Sequence, residues 1–229
     1  MKIICVIPAR AGSKGIKNKN IVKLNNKKLI EYTFSAVKKS KINKSYILSD
    51  SLKIINLAKK YEINTDYKRP SKTSGDNDSL IKTLKHFMTW LKKKKINFDY
   101  ILILQPTSPL RTHKDINKCL EILKKNKPLS LFSVSPSLEH PFESIKILPK
   151  NTWNYIIKRP SKVFRRQQFN IESYFENGAI YASNARILKK NKIFSKSQHI
   201  CYVMSKINSL DINDKEDLKL CESIMRNRK

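Results

Sequence analysis

The sequence predicts an α/β fold, with a mostly parallel sheet covered by helices on both faces. Two observations carry this. Short, near-continuous apolar runs recur, as in "KIICVIP" (2–8), "FDYILILQP" (98–106) and "PLSLFSVSP" (128–136). Between them lie stretches whose apolar residues repeat every three or four positions. Strands with no polar face are buried on both sides, which is the habit of parallel sheets sandwiched by helices.

The elements follow in order. "KIICVIP" is a strand ending at a proline, and a glycine-bearing loop follows it. "KLIEYTFSAVKKS" puts Ile30, Phe34 and Val37 on one helical face. "KSYILSD" is a strand ending in Asp50, and "SLKIINLAKKY" a helix with Ser51 at its N-cap. "INTDYKRP" is a short strand or extended segment. "DSLIKTLKHFMTWLKKKK" is the strongest helix, with Leu80, Leu84, Phe87, Met88 and Leu91 inward and Asp78 at its start. "HKDINKCLEILKK" follows the "YILIL" strand as a helix with Ile116, Cys119, Leu120 and Leu123 inward. The first 136 residues therefore alternate strand and helix. Between 137 and 175 the alternation stops, with prolines and short β-like stretches that read as an inserted hairpin or arm. "NGAIYAS" and "HICYVMS" resume strand character. "DINDKEDLKLCESIMRN" closes as a helix with Leu218, Cys221 and Met225 inward. The chain of 229 residues is expected to be one domain, 1–229, carrying the arm within it.

Composition excludes several classes. No apolar run approaches the roughly 18 residues a membrane helix needs. "IICVIPA" is cut short by Arg10 and does not read as a secretory leader, so a cytoplasmic protein without a membrane partner is expected. The cysteines (Cys5, Cys119, Cys201 and Cys221) lack paired metal-ligand spacing and read as buried free thiols. The histidines are scattered, and His140, in the arm, is given no catalytic role. The chain has 48 Lys and Arg against 18 Asp and Glu, a formal net charge of +30. Such a charge raises a nucleic-acid-binding reading. Yet the lysines are spread along the whole chain, and Lys, Asn and Ile together are the residues of AT-rich codons. No specific nucleic-acid partner is expected, only salt-sensitive attraction to polyanions.

Ligands of open parallel sheets bind outside the carboxyl ends of the strands. The glycine loop, Asp50 and "QPTSPLR" all follow strand ends and should share that edge. The loop "IPARAGSKGIKNKN" (7–20) combines two glycines and a serine with Arg10, Lys14 and Lys19. Glycines let backbone N–H groups approach an anion closely, and the cations neutralise it. The spacing matches neither the P-loop nor G-x-G-x-x-G, so the physics alone gives a phosphate-binding loop of some kind.

These residues closely resemble the N-terminal signature of the CMP-sialic acid synthetases, the cytidylyltransferases that activate nonulosonic acids. "ILSDS", "KRPSKTSGDNDS", "LQPTSPLR", "VSPSLEHP", "RRQQF", "NGAIYAS" and "SLDINDKEDL" match in order along the whole chain. The resemblance implies a nucleotide-diphospho-sugar transferase-like fold with a dimerisation arm at 137–175, hence a homodimer. It implies that CTP and a nine-carbon α-keto acid sugar are joined into a CMP-sugar with release of pyrophosphate. It also implies Mg2+, and a homodimer whose arm residue Arg166 serves the neighbouring subunit.

The resemblance further implies residue roles. Arg10, Ser13, Lys14, Lys19 and Asn20 match triphosphate positions, and Arg69, Asp76 and Ser79 lie on the nucleotide side. Gln105, Thr107, Ser108 and Arg111 fall where nucleotide and sugar meet. Arg166 and Gln167 match a reader of the sugar carboxylate, which a guanidinium grips with two hydrogen bonds. Asn177 matches a sugar-side position. Asp211 matches the metal carboxylate, and Lys14, Gln105 and Asp211 are the catalytic candidates. The match departs at two places. "DIN" puts Asn213 where many members have a second metal-binding aspartate, leaving it to offer a carbonyl oxygen or to hold a metal-bound water. Asp214 beside it reads as the cap of the last helix. "SYFENGAIY" lacks the arginine that often precedes this motif in N-acetylneuraminate enzymes, which points to legionaminate or another bacterial nonulosonate, with pseudaminate ranked lower. The alternatives are a CMP-Kdo-type cytidylyltransferase and a basic nucleic-acid-binding protein.

Overall fold

The computed structural model describes residues 1–12, 15–70, 80–158, 169, 171–190, 192–193 and 197–227. Six strands form the central sheet: β1 (Ile3–Pro8), β4 (Ser45–Leu48), β5 (Tyr100–Leu104), β6 (Ser130–Pro136), β9 (Tyr174–Asn184) and β10 (His199–Val203). Their order is β10-β6-β9-β5-β1-β4. β1 runs parallel to β4 and β5, and β10 parallel to β6. β9 is antiparallel to both its neighbours. The uniform sheet suggested by the first 136 residues is thus modified: β5 and β6 point the same way but do not pair, because β9 returns between them. The other strands among the described residues form two small ribbons, β2 (Lys23–Leu24) with β3 (Lys27–Lys28), and β7 (Ile145–Ile147) with β8 (Trp153–Tyr155).

Helices cover both faces, because alternate residues of each strand point opposite ways. On one face, Cys5 and Ile7 of β1 and Leu102 and Leu104 of β5 meet α1 (Leu29–Lys38), α2 (Leu52–Lys60) and α4 (His113–Asn126). On the other, Ile4, Val6, Ile101 and Ile103 meet α3 (Leu80–Lys93) and α5 (Ala185–Lys189). The predicted inward residues Ile30, Phe34, Val37, Leu84, Phe87, Leu91, Ile116, Cys119, Leu120 and Leu123 are buried. Leu80 and Met88 are only partly buried. Ser51 stands at the N-cap of α2 but makes no capping hydrogen bond.

A third cluster fixes the site. The last helix, α6 (Lys215–Arg226), turns Cys221, Leu218 and Met225 against Ile16, Leu24, Leu29, Leu110 and Ile212. Asp214 caps it as expected, accepting from the N–H groups of Glu216 at 2.8 Å and Asp217 at 2.9 Å. The C-terminal segment is thereby packed onto the loop after β1. Cys5, Cys119 and Cys221 are buried, and burial pushes the Cys5 thiol up to about 12. Cys201 corrects the expectation of four buried thiols: it lies exposed on edge strand β10. The segment 137–175 does contain a hairpin, β7–β8, which carries exposed Ile147 and Trp153.

Candidate active site

Two clefts open at the carboxyl ends of the parallel strands and meet at Asn213, which lines both. The first, of about 410 Å³, lies between the glycine loop and the end of β5. Its wall includes Arg10, Gly12, Gly15, Lys19, Asn20, Arg69, Gln105 and Thr107. They include three of the predicted triphosphate residues (Arg10, Lys19 and Asn20), the nucleotide-side Arg69, and two residues from "QPTSPLR". Ser13, Lys14, Asp76, Ser79, Arg166 and Gln167 lie outside the described residues.

The loop is tied at several points. The Ala9 N–H donates to Leu48 O at 3.0 Å, and the Ala11 N–H to Asp50 Oδ1 at 2.8 Å, which brings the ends of β1 and β4 onto the one edge the sequence predicted. Nearly buried Asn20 donates through Nδ2 to Arg10 O at 3.1 Å, so its amide shapes the loop from within. Lys19 Nζ donates to Ile212 O at 2.9 Å. Gly15 is required by a close approach: a Cβ there would stand 2.6 Å from the Asn213 carbonyl oxygen.

The second cleft, of about 770 Å³, is lined by the arm and β9 on one side and the segment around Asp211 on the other. Asp211 Oδ1 is buried and has no hydrogen-bond partner. An uncompensated buried carboxylate oxygen is costly, and a cation is what would relieve it. Among the described residues there is no group of three or more Asp, Glu, His or Cys side chains able to cage a metal. One carboxylate beside an amide carbonyl suits a hard cation that keeps its waters and takes its remaining ligands from phosphates, which is the habit of Mg2+. The donor set therefore fits the ion.

Three predicted residues take other roles. Arg111 is not a sugar contact: it is 2% exposed and lines neither cleft. Its Nη1 donates to Gln105 O at 2.9 Å and Ala179 O at 2.8 Å, and its Nη2 to Thr33 Oγ1 at 2.7 Å. The guanidinium thus straps the exit of β5 to β9 and to α1. Ser108 is likewise fully buried and lines neither cleft. Asn177 borders the larger cleft, but its amide is spent internally. Its Oδ1 accepts from Ser133 Oγ at 2.6 Å and its Nδ2 donates to Ser209 Oγ at 2.8 Å. These contacts hold β9 where Gly178 takes a left-handed φ of +70°. Gly178→Ala is expected to lower stability by about 1 kcal/mol, read as a shift in the thermal midpoint.

Residue-level reading of the sequence missed Tyr181, Glu176 and Asp115. Tyr181 donates to Glu176 Oε1 at 2.8 Å on the wall of the larger cleft. Its phenol is held above the usual tyrosine range by burial first, then by the hydrogen bond and charge of Glu176, with the Asp211 charge last. The signal was available, since Tyr181 ends the "NGAIY" run. Asp115 had no such signal. It completes a capping box with Thr112 and also accepts from Tyr202 Oη at 3.0 Å and Asn208 Nδ2 at 3.1 Å. It anchors the approach to Asp211.

An α/β sheet whose cation-lined loop faces a larger cleft across a carboxylate-bearing segment is the architecture of a nucleotidyltransferase. The chain belongs to the cytidylyltransferase family, whose sequence profile matches residues 4–224. Post-translational flagellin modification protein B of Campylobacter coli is 28% identical over 237 residues, covering 99% of this chain and 96% of that protein. CMP-N,N'-diacetyllegionaminic acid synthase of Legionella pneumophila is 31% identical over 235 residues, covering 98% and 97%. The N-acylneuraminate cytidylyltransferase of Escherichia coli is 29% identical, and this chain spans 53% of its length. Among solved structures, CMP:2-keto-3-deoxy-manno-octonic acid synthetase complexed with CTP superposes with a TM-score of 0.73 at 14% identity, covering both chains completely. That likeness establishes the fold.

Proposed function

We propose that this chain is a cytidylyltransferase for a bacterial nonulosonic acid, taking CTP in the smaller cleft and the sugar in the larger. The observation that carries this reading is the meeting of the two clefts at Asn213, beside the unpartnered Asp211 oxygen. A nucleotide phosphate and a sugar hydroxyl brought together there are held for in-line displacement. The anomeric oxygen bonds to the α-phosphorus as the bond to pyrophosphate breaks. Such chemistry needs positioning and charge neutralisation more than covalent help.

Arg10 and Lys19 lie on the phosphate side, with Ser13 and Lys14 assigned there by resemblance. Arg69 borders the same cleft, with Asp76 and Ser79 assigned to the nucleotide side. Gln105 and Thr107 stand at the junction. Asp211, with the Asn213 carbonyl, would hold Mg2+, which when bound neutralises charge on the phosphates and leaving group. Arg166 and Gln167 are assigned to the sugar carboxylate, and Glu176, braced by the Tyr181 hydroxyl, to hydroxyl donors of the sugar. The exposed apolar side chains of the arm, Ile147 at 71% and Trp153 at 51%, favour burial against a second copy. A homodimer built on 137–175 follows. No described helix is long and apolar enough to cross a membrane, and the CTP requirement favours a cytoplasmic enzyme.

The test is pyrophosphate release from CTP and Mg2+ with N-acetylneuraminate, N,N'-diacetyllegionaminate, pseudaminate and, as a control, Kdo. Turnover is expected with a nonulosonate other than N-acetylneuraminate as the preferred substrate. Preference for Kdo would overturn the reading. A second expectation concerns the charge of +30. Polynucleotide binding should weaken linearly in log–log plots against salt and show no sequence preference, as a filter-binding series would reveal.

A further inference from the structure

Residues 211–213 are fastened through their main chain, and the fastening centres on Ile212. Its N–H donates to Thr107 O at 2.8 Å. Its carbonyl accepts from Lys19 Nζ at 2.9 Å, across 193 residues of sequence. Its side chain is fully buried against Ile16, Leu24 and Leu110. Gly15 leaves the space that the Asn213 carbonyl occupies. Asp211 and Asn213 flank this pinned residue and border the larger cleft. Nothing holds Asp211 Oδ1 itself. The carboxylate is therefore placed by its neighbour's backbone, and the loop after β1 does much of the placing.

We infer that Lys19 is a positioning residue for the metal carboxylate rather than chiefly a triphosphate contact. The inference rests on the reading of the site as a CTP–Mg2+ centre. A Lys ammonium is a compact point charge with three N–H donors. Here one is committed to the Ile212 carbonyl, which lies between Asp211 and Asn213 in the peptide bond to Asn213. A hydrogen bond from a charged donor is among the stronger kinds. Losing it frees one side of the Asp211–Asn213 segment while leaving the phosphate-side arginine Arg10 in place. Metal affinity should suffer first, and nucleotide affinity second.

The experiment compares Lys19→Met, Lys19→Arg and Gly15→Ala with the unmodified protein. Apparent KM is measured for Mg2+ at saturating CTP, and for CTP at saturating Mg2+. Mn2+ binding, followed by its electron paramagnetic resonance signal, is measured with a non-hydrolysable CTP analogue present, and needs no turnover. Lys19→Met is expected to weaken Mn2+ binding and raise the Mg2+ KM about tenfold or more, with the CTP KM changed less than about threefold, the loss of one charge-assisted hydrogen bond. Lys19→Arg should restore part of the metal affinity. Gly15→Ala, which crowds the same segment from the other side, should reproduce the metal defect with Lys19 intact. A tenfold or larger rise in CTP KM with Mn2+ affinity unchanged would overturn the inference and make Lys19 a triphosphate contact. If no sugar supports turnover in the unmodified protein, the proposed reaction fails, whereas the Mn2+ comparison still decides the role of Lys19.

Discussion

Asp211→Asn is expected to lower kcat by about 10²- to 10³-fold, the usual cost of removing one preorganised electrostatic group, without lowering stability. The two halves of this result have one cause. Asp211 Oδ1 is buried and accepts no hydrogen bond, so the apo fold gains no hydrogen bond from that oxygen. Replacing the side chain with an amide of the same shape breaks no hydrogen bond at that oxygen and removes charge beside it, so the thermal midpoint should hold or rise. Groups that oppose stability while facing a cleft mark sites whose geometry serves a ligand. Added Mg2+ with a non-hydrolysable CTP analogue should raise the midpoint of the unmodified protein by mass action, and raise that of Asp211→Asn far less. Thermal scans with and without ligand, beside steady-state rates, check both halves. A midpoint that falls sharply in Asp211→Asn would show the carboxylate to be structural.

Much of the fold was legible because burial leaves a periodic trace. Leu84, Phe87 and Leu91, or Ile116, Cys119, Leu120 and Leu123, announce their helices and their inward faces from spacing alone. The insertion of β9 between β5 and β6 left no such trace, since which strands pair is set by long-range contact and not by local pattern. The edge that carries the cleft was legible for a different reason: the glycine loop, Asp50 and Gln105 all follow strand ends, and parallel strands bring such ends together. What the sequence could not separate was a polar residue that faces a cleft from one that braces it. Arg111 and Asn177 stand in motifs beside Gln105 and Gly178, with the same residue chemistry as contact groups. Only the carbonyls and hydroxyls around them, from Gln105, Ala179, Thr33, Ser133 and Ser209, reveal that the Arg111 Nη groups and the Asn177 amide are already engaged. Asp115 was hidden by the same ambiguity, because a capping aspartate looks alike whether or not Tyr202 and Asn208 converge on it.

Arg111→Met should therefore fail in a manner opposite to Asp211→Asn. Methionine fills much of the volume but donates nothing. The carbonyls of Gln105 and Ala179 and the Thr33 hydroxyl lose their shared partner inside a site that water does not reach. Burial draws the guanidinium down to about 10, against opposing pulls from Cys5, Asp115 and Cys119, and it stays charged at neutral pH. Each buried acceptor left without its partner costs about 1–3 kcal/mol, so losing all three together is expected to cost about 3–5 kcal/mol. At about 2–4 °C per kcal/mol for a domain of this size, the thermal midpoint should fall by roughly 6–20 °C. Arg111→Lys keeps the charge, but its one nitrogen cannot reproduce the planar fork, so an intermediate loss is expected. The kinetic consequence follows from what the strap joins. Gln105 borders the smaller cleft, and Ala179 follows the Asn177–Gly178 wall of the larger one. Slackening the strap lets the two reactants drift apart, which lowers kcat at temperatures where the variant is still folded. A guanidinium that read the sugar carboxylate would behave differently. Its loss would raise the sugar KM about 100-fold and leave the thermal midpoint unchanged. Calorimetry and the division between kcat and KM distinguish the two, and the buried position of Arg111 commits to the first.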